Sequence, residues 1–244
     1  MILAAGLGTR LRPLTADRPK ALVEVAGRTM LEITLSRLRD AGIRDVIINV
    51  HHFADLLAAY LEKHSNFGMN IAISREDVLL DTGGGLKKAA WFFQDSAGDD
   101  PFLLHNVDVI SDIDLPRMIS FHRKHGALAT LAVQDRQSSR RLLFDQNLQL
   151  CGRSQNPNEP DEVVIPCAAP HRLAFCGIHV ISPRMLRMMT EDGVFSIITS
   201  YLRLAAQGER ILSFRAEGYY WRDLGRPENI AQAAADAARG LIRL

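Results

Sequence analysis

The chain opens with a short apolar run, residues 1–5, which ends at a glycine and leads into the loop Gly6-Leu7-Gly8-Thr9-Arg10. Such a run predicts a buried strand, and two glycines let the backbone after it turn sharply and approach a ligand closely. Exposed amide groups in a turn of this kind form an anion-binding concavity. Arg10, Arg12 and Lys20 add cations nearby, so the first twenty residues predict a polyphosphate site.

Strand-like and helix-like segments alternate through the first half of the chain. Predicted strands lie at 45–50, 69–74, 102–106 and 127–133, and predicted helices follow the capping box at 29–32 and lie at 53–61, 86–93 and 115–125. This alternation predicts an α/β, Rossmann-like fold with one mixed, mostly parallel sheet and helices on both faces. Ligands of such sheets bind beyond the carboxyl ends of the strands. We therefore expect Asp108, just past a strand, at the same edge as the first loop.

The pattern changes after residue 134. Residues 141–150 predict a hairpin, and residues 155–170 predict a long polar excursion. Further strands are predicted at 173–181, 211–214 and 219–222. Further helices are predicted at 183–189, at 197–207 and from Pro227 onward. We find no internal repeat and no hexapeptide repeat of the kind that builds a left-handed β-helix. The sequence therefore predicts one domain over 1–244, without a β-helix domain.

Composition argues against several classes of protein. A formal net charge of +1 does not suit a dedicated binder of nucleic acid or of membrane surfaces. No apolar stretch approaches the roughly 20 residues of a membrane span, and no signal-like segment precedes the first strand. The three cysteines lack the spacing of metal ligands. We expect a cytoplasmic protein, either a monomer or a small homo-oligomer, without nucleic-acid or membrane partners.

The whole opening string carries more information than its glycines. Leu-Ala-Ala-Gly-x-Gly-Thr-Arg-Leu-x-Pro-Leu-Thr at 3–15, followed by Arg-Pro-Lys-Ala-Leu at 18–22, resembles the signature of the sugar-1-phosphate nucleotidylyltransferases. The resemblance implies a Mg²⁺-dependent reaction of a nucleoside triphosphate with a sugar 1-phosphate, and the nucleotide-diphospho-sugar transferase fold. It implies catalytic roles for Arg10 and Lys20 by charge stabilisation. It also implies nucleotide contacts from the first loop, at Leu3, Ala4, Ala5, Gly6, Gly8 and Thr9.

A second glycine-rich segment, Asp81-Thr82-Gly83-Gly84-Gly85, precedes the predicted helix at 86–93. Its glycines let the backbone approach a flat ligand, and a helix N-terminus favours anions. It resembles the family's nucleobase and ribose segment, which implies contacts from Asp81, Thr82 and Gly83. The string at 80–84 is especially similar to that of the N-acetylmuramate-1-phosphate uridylyltransferase branch. His51 and His52 are further candidates for the base pocket, with a structural role as the commoner alternative.

Two aspartates are candidate metal ligands. A carboxylate just past a strand end suits Mg²⁺, and Asn106-Val107-Asp108 resembles the family's Asn-Gly-Asp, with valine in place of glycine. The segment from Trp221 to Pro227 resembles Trp-x-Asp-x-Gly-x-Pro, which implies Asp223 as the second ligand. We predict that Asp108 and Asp223 share one Mg²⁺. Asp112-x-Asp114 also matches a glycosyltransferase motif, but we favour a helix cap there.

The resemblance implies a nucleotide-binding half at 1–133 and a sugar-binding half at 134–244. The sugar pocket is the part where the sequence departs most from the family's motifs. Asn106 and Gly177, the latter in Phe-Cys-Gly-Ile at 175–178, are the implied sugar contacts. Residues 151–155 stand where many relatives carry a second phosphate-binding lysine. Arg153 and Arg172 are both candidates to replace it.

The substrates stay open at this point. The leading prediction is UTP with N-acetylmuramate 1-phosphate, which places the protein in cell-wall nucleotide-sugar synthesis. GTP with mannose or heptose 1-phosphate is the alternative. A glycosyltransferase that uses Asp112 and Asp114, and a silent sensor of nucleotide sugars, are the alternatives of another class.

Overall fold

The computed structural model describes residues 1–93, 100–156 and 158–244. Seven α-helices lie within this described part of the chain: α1 (Met30–Asp40), α2 (Ala54–Lys63), α3 (Asp81–Lys88), α4 (Leu115–His125), α5 (Arg184–Met188), α6 (Ile197–Ala206) and α7 (Pro227–Ala238). The strands there are β1 (Ile2–Leu3), β2 (Glu24–Val25), β3 (Arg28–Thr29), β4 (Asp45–Val50), β5 (Asn70–Arg75), β6 (Phe102–Asn106), β7 (Val109–Ser111), β8 (Ala129–Gln134), β9 (Arg141–Phe144), β10 (Leu150–Ser154), β11 (Glu162–Val163), β12 (His171–Ile181), β13 (Ile211–Arg215) and β14 (Trp221–Asp223).

Local signals place the ends of the helices. The predicted capping box starts α1, where the Thr29 hydroxyl accepts a hydrogen bond from Glu32 N over 3.1 Å. Asp114 caps α4 by accepting from Arg117 N over 2.8 Å, and Gly126 ends that helix with a φ of 57°. Both caps satisfy backbone groups that a helix end leaves without partners. The predicted helix-cap role of Asp114 is confirmed.

The chain divides into two units, and the first comprises Met1–Leu80, His105–Ile113 and Tyr219–Leu244. Its central strands pair in parallel: β1 lies between the end of β6 and β4, and β4 pairs with β5. Because these strands run in one direction, their carboxyl ends lie at one edge, where loops can build a site. Buried leucine and isoleucine side chains of α1 and β4 form much of its core.

A short antiparallel ribbon completes the first unit. β7 and β14 pair in the register Ser111 with Trp221 and Val109 with Asp223. The sequence predicted a strand at 219–222, which starts two residues before β14 starts and ends one residue before β14 ends, and missed β7, β2 and β3. Strands of two or three residues are too short to show an alternating pattern.

The second unit comprises Asp81–Leu104 and Asp114–Gly218. β11, β10, β9, β12 and β8 pair antiparallel in that order, and β13 joins β8 in parallel. The predicted hairpin around residues 145–147 is β9 and β10. The predicted excursion at 155–170 contains β11, and residue 157 within it lies outside the described residues.

The predicted fold class, a mixed and mostly parallel sheet with helices, is confirmed. Both bounds of the third helix were wrong: it begins at Asp81, five residues before the predicted start, and ends at Lys88, five residues before the predicted end. Its glycines therefore lie inside the helix. Packing explains this, because a Cβ on Gly83 would lie 2.3 Å from the ring of Phe195. In the described part of the chain, none of the helices is long and apolar enough to cross a membrane.

Candidate active site

The loop after β1 turns through a left-handed glycine. Gly8 has a φ of 62° and a ψ of 29°, which an L side chain rarely adopts. Its carbonyl accepts a hydrogen bond from the Thr15 hydroxyl over 2.9 Å, and Leu11 anchors the following turn in the core. Gly6 and Thr9 are exposed on the same loop. The backbone of this loop is therefore both fixed and accessible, as a phosphate cradle requires.

Lys20 lies against this loop and pairs with Asp108. Its Nζ donates to Asp108 Oδ2 over 2.6 Å, and the two side chains are only 15% and 11% exposed. A Cβ on Gly6 would lie 3.8 Å from Lys20 Nζ, and one on Gly8 would lie 3.1 Å from Lys20 Cβ. The ammonium group thus stands between the glycine loop and the aspartate, 88 residues away in sequence.

Asp223 lies beside Asp108 because of the ribbon. Asp223 is paired with Val109 in the register of β14 and β7, and Leu224 N donates to the carbonyl of Asp108 over 2.8 Å. The ribbon therefore brings the two predicted metal ligands to adjacent backbone positions. Val107, which stands at the glycine position of the Asn-Gly-Asp motif that this segment resembles, is buried, and its N donates to Leu3 O over 3.1 Å, so valine is accommodated there.

Arg10 reaches the same place through Gly225. A Cβ on Gly225 would lie 2.7 Å from Arg10 Nη2 and 2.9 Å from Asp223 Oδ1. The Gly225 amide itself donates to Asp223 Oδ1 over 2.9 Å. A side chain here would therefore displace the guanidinium or the carboxylate, and glycine leaves both groups in place. The sequence analysis included Gly225 only as a glycine of the Trp-x-Asp-x-Gly-x-Pro motif. No neighbouring residue in the sequence predicted its contacts with Arg10 and Asp223.

A buried aspartate holds the ribbon strand β14 on helix α7. Asp236 accepts from the Tyr220 hydroxyl over 2.8 Å and from Arg222 Nη2 over 2.9 Å. Hydrogen bonds from Gln232 and Tyr220 hold the pKa of the Asp236 carboxyl well below its usual range. Asp112 adds a second support by accepting from Tyr220 N over 2.7 Å. Asp112 and Asp114 are thus both engaged in structural hydrogen bonds.

The histidine near these groups is not a candidate proton carrier. His105 is fully buried, and burial lowers its pKa to about 4, so it is neutral at pH 7. Its Nδ1 donates to the carbonyl of Asn106 over 2.8 Å. Among the residues that the structure describes, we find no group of three or more His, Cys, Asp or Glu side chains that could hold a metal ion. Asp108 and Asp223 offer two carboxylates.

Comparison with known proteins identifies the family. The family model described as Nucleotidyl transferase matches residues 1–240 of the chain.

The chain belongs to the nucleotidyl transferase family.

Relatives of this nucleotidyl transferase support the sequence prediction. It is 35% identical over 249 residues to the N-acetylmuramate alpha-1-phosphate uridylyltransferase of Caulobacter vibrioides, covering 97% of this chain and 95% of that protein. It is 30% identical to the mannose-1-phosphate guanylyltransferase of Mycobacterium tuberculosis, covering 99% of this chain and 65% of that protein. The predicted membership of the sugar-1-phosphate nucleotidylyltransferases, an enzyme class that transfers a nucleotidyl group from a nucleoside triphosphate to a sugar 1-phosphate and releases pyrophosphate, is confirmed.

Solved structures share the fold of this nucleotidyl transferase. A putative glucose-1-phosphate thymidylyltransferase of Bacillus anthracis has a TM-score of 0.80 at 20% identity, covering 100% of this chain and 95% of that one. HddC of Yersinia pseudotuberculosis, complexed with GMP-PN, has a TM-score of 0.76 at 21% identity, covering 97% of each chain. These likenesses establish the architecture.

The predicted base segment of the transferase lies in the second unit. Asp81 is exposed at the start of α3, with a φ of 60°. The Thr82 hydroxyl accepts from Ile197 N over 3.0 Å, and Gly83 N donates to Phe195 O over 2.9 Å. These bonds attach the start of α3 to the start of α6.

The predicted sugar contacts lie in different units. Gly177 lies in β12 with a φ of 73°, where the pairing with β8 shifts register. Asn106 ends β6 in the first unit, and its Oδ1 is buried without a hydrogen-bond partner among the described residues. Arg153 and Arg172 form ion pairs with Glu162 and Asp161. Neither arginine is singled out by its contacts as the replacement for the second lysine.

Proposed function

We propose that the chain is an N-acetylmuramate-1-phosphate uridylyltransferase that works with Mg²⁺. It would convert UTP and N-acetylmuramate 1-phosphate to the UDP-sugar and pyrophosphate. The observation that carries this proposal is the 35% identity with the Caulobacter enzyme, which extends over 97% of this chain and 95% of that one.

The charges around the first loop support the reaction. A phosphate oxygen of the sugar 1-phosphate attacks the α-phosphorus of the triphosphate, and the bond to the β-phosphate breaks to release pyrophosphate. The nucleophile is already anionic, so no side chain needs to remove a proton. Arg10 and Lys20 would stabilise the negative charge of the transition state, and the fork of the guanidinium suits two phosphate oxygens. The side chain of Lys20 is mostly buried, so water screens its charge weakly.

The donor set beside Lys20 fits Mg²⁺. Asp108 and Asp223 supply hard carboxylate oxygens from adjacent backbone positions, and Mg²⁺ sites commonly use one or two carboxylates with phosphate oxygens. The Asp108 carboxylate already accepts a cationic group, Lys20 Nζ, at 2.6 Å. A bound ion would neutralise charge on the phosphate oxygens. In its presence Lys20 would be free to turn from Asp108 toward substrate phosphate.

The remaining predicted contacts divide between the substrates. We propose that the first loop binds the nucleotide through Leu3, Ala4, Ala5, Gly6, Gly8 and Thr9. Asp81, Thr82 and Gly83 would contact the base and ribose, and Asn106 and Gly177 the sugar. Fixed backbone in the loop and at the start of α3 supports these assignments, because fixed groups lose little entropy on binding.

A guanylyltransferase is the second candidate. Mannose-1-phosphate guanyltransferases of several fungi are about 30% identical to this chain, but the chain covers only 61% of the Candida albicans protein. The higher identity with the Caulobacter enzyme, 35% against 30%, favours the uridylyltransferase. The hypothesis of a glycosyltransferase is not favoured, because the carboxylates of its motif accept structural hydrogen bonds. Asp112 accepts from Tyr220 N, and Asp114 accepts from Arg117 N.

A substrate panel tests the proposal. Purified protein with Mg²⁺ is given each of four nucleoside triphosphates with N-acetylmuramate, N-acetylglucosamine, mannose or heptose 1-phosphate, and pyrophosphate release is measured. We expect UTP with N-acetylmuramate 1-phosphate to give the highest kcat/KM, and chelation by EDTA to abolish turnover. Preference for GTP with mannose or heptose 1-phosphate would establish the second candidate instead. Lys20→Ala protein, run in parallel, controls for contaminating activity.

A further inference from the structure

A buried chain of hydrogen bonds lies behind the phosphate loop, and we name it the Asn49–Glu76 relay. Ala4 N donates to Asn49 Oδ1 over 2.7 Å, and Asn49 Nδ2 donates to Glu76 Oε1 over 2.7 Å. Leu80 N then donates to Glu76 Oε2 over 3.0 Å. The relay therefore runs from the first residue after β1 to the residue directly before Asp81.

The direction of every bond in the relay is fixed by its two ends. Ala4 N and Leu80 N are both donors, so they require oxygen atoms from Asn49 and Glu76. With its oxygen committed, Asn49 must turn its NH₂ group toward Glu76, which then has to accept at both oxygens. An ionised carboxylate satisfies this requirement and an amide does not.

The relay holds a carboxyl group in a buried place, where polar groups are costly. Asn49 is 2% exposed and Glu76 4% exposed. The adjacent arginine, Arg75, pairs with Asp55 rather than with Glu76. Neutral donors therefore hold the buried carboxylate, an arrangement that costs free energy relative to well-packed apolar side chains. This cost indicates that the exact positions of the two amides matter for more than folding.

The backbone on both sides of the relay is clamped as well. Glu76 N donates to Val50 O over 2.7 Å, which continues the pairing of β4 and β5 by one residue. The ring of His51 donates from Nδ1 to the carbonyl of Glu76 over 2.8 Å. Glu76 is thus a fixed point from which the chain leaves for Leu80.

We propose that Asn49 and Glu76 are positioning residues for the nucleoside triphosphate. They would hold the Ala4 amide at the start of the phosphate loop and the backbone that leads into the predicted base segment, Asp81–Gly83. The inference rests on the proposed nucleotide site but is independent of which sugar is the substrate. It predicts that a substitution in the relay weakens the binding of the nucleoside triphosphate and leaves the binding of the sugar 1-phosphate unchanged.

Single and double variants separate the relay from a general packing effect. Glu76→Gln leaves one donor facing an NH₂ group, and Asn49→Asp sets two carboxylates against each other. In the double variant Asn49→Asp with Glu76→Gln, every bond can form again with the central one reversed. Asn49→Ser is a milder variant, because it shortens the relay without placing like groups in contact.

Affinity and kinetics provide the readouts. We expect each single variant to raise the Kd for UTP, measured by calorimetry, and the KM for UTP by about tenfold, the effect of one buried hydrogen bond. The KM for the sugar 1-phosphate and kcat should change by less than about threefold. The double variant should recover most of the UTP affinity, as coupled residues do. If a single variant does not fold, Asn49→Ser must still weaken UTP binding.

A similar pair at the other end of the same strands is the matched control. Asn70 Nδ2 donates to Asp45 Oδ1 over 2.8 Å at the starts of β5 and β4, on the exposed surface. Asn70→Asp should leave UTP affinity unchanged.

Three results would overturn the inference. They are wild-type UTP affinity in folded relay variants, no recovery in the double variant, or equal changes in both KM values. A wild-type protein that binds UTP but turns over none of the sugar phosphates would instead overturn the proposed function, while the calorimetric test of the relay would stand.

Discussion

A methyl group at Gly225 would meet two charged groups of the candidate active site at once. On the present backbone it would lie 2.7 Å from Arg10 Nη2 and 2.9 Å from Asp223 Oδ1, whereas ordinary contact begins at 3.4 Å. The guanidinium must therefore retreat by about 0.7 Å and the carboxylate by about 0.5 Å. The φ of Gly225 is outside the left-handed region, so the backbone itself accepts alanine.

The expected effect of Gly225→Ala is a loss of turnover in a folded protein. Misplacing reacting groups by about 1 Å can cost about 100-fold in rate, and a tenfold loss corresponds to about 1.4 kcal/mol of barrier. We expect kcat/KM to fall by roughly 10- to 100-fold, or about 1.4–2.7 kcal/mol. The melting temperature should change little, because the displaced groups are the ends of side chains that can move.

Pyrophosphate release with UTP, sugar 1-phosphate and saturating Mg²⁺ measures the loss, and circular dichroism confirms the fold. Gly218→Ala is the matched control, since a Cβ there would meet nothing within 4 Å and the backbone is equally permissive. A folded Gly225→Ala protein with kcat/KM within about twofold of wild type would refute the reasoning. The exact positions of Arg10 and Asp223 would then not limit the reaction.

Four further substitutions test other parts of the site. Lys20→Ala should lower kcat by roughly 100- to 1,000-fold, since one lost donor costs about 3–4 kcal/mol of barrier; near wild-type turnover would remove Lys20 from the mechanism. Gly8→Val should abolish UTP binding by calorimetry, because the φ of 62° is strained for valine and Lys20 Cβ lies 3.1 Å from the new Cβ; retained affinity would show that the loop is only a turn. Asp108→Asn and Asp223→Asn should each lower Mg²⁺-dependent turnover by orders of magnitude, and the double change should add little; additive losses would contradict a shared ion.

The amino-acid sequence by itself determined the local elements. The capping box at Thr29, the cap at Asp114 and the proline at the start of α7 depend on groups within about one helical turn. The hairpin of β9 and β10 follows from turn residues between two apolar runs. The motif at 3–22, which resembles the signature of the sugar-1-phosphate nucleotidylyltransferases, also indicated candidate residues of the site. The roles of those residues stay predictions. These features were predictable because the interactions that create them are close along the chain.

Only the tertiary structure decided which distant groups meet. Lys20 and Asp108 are 88 residues apart, and their ion pair depends on how the loop folds over the sheet. Asp223 lies beside Asp108 because of a ribbon too short to show a pattern in the sequence. The start of α3 was wrong in the sequence prediction because packing against Phe195, 112 residues later, overrode the weak helix propensity of glycine. Contacts of this kind depend on register and packing, which no local window of sequence contains.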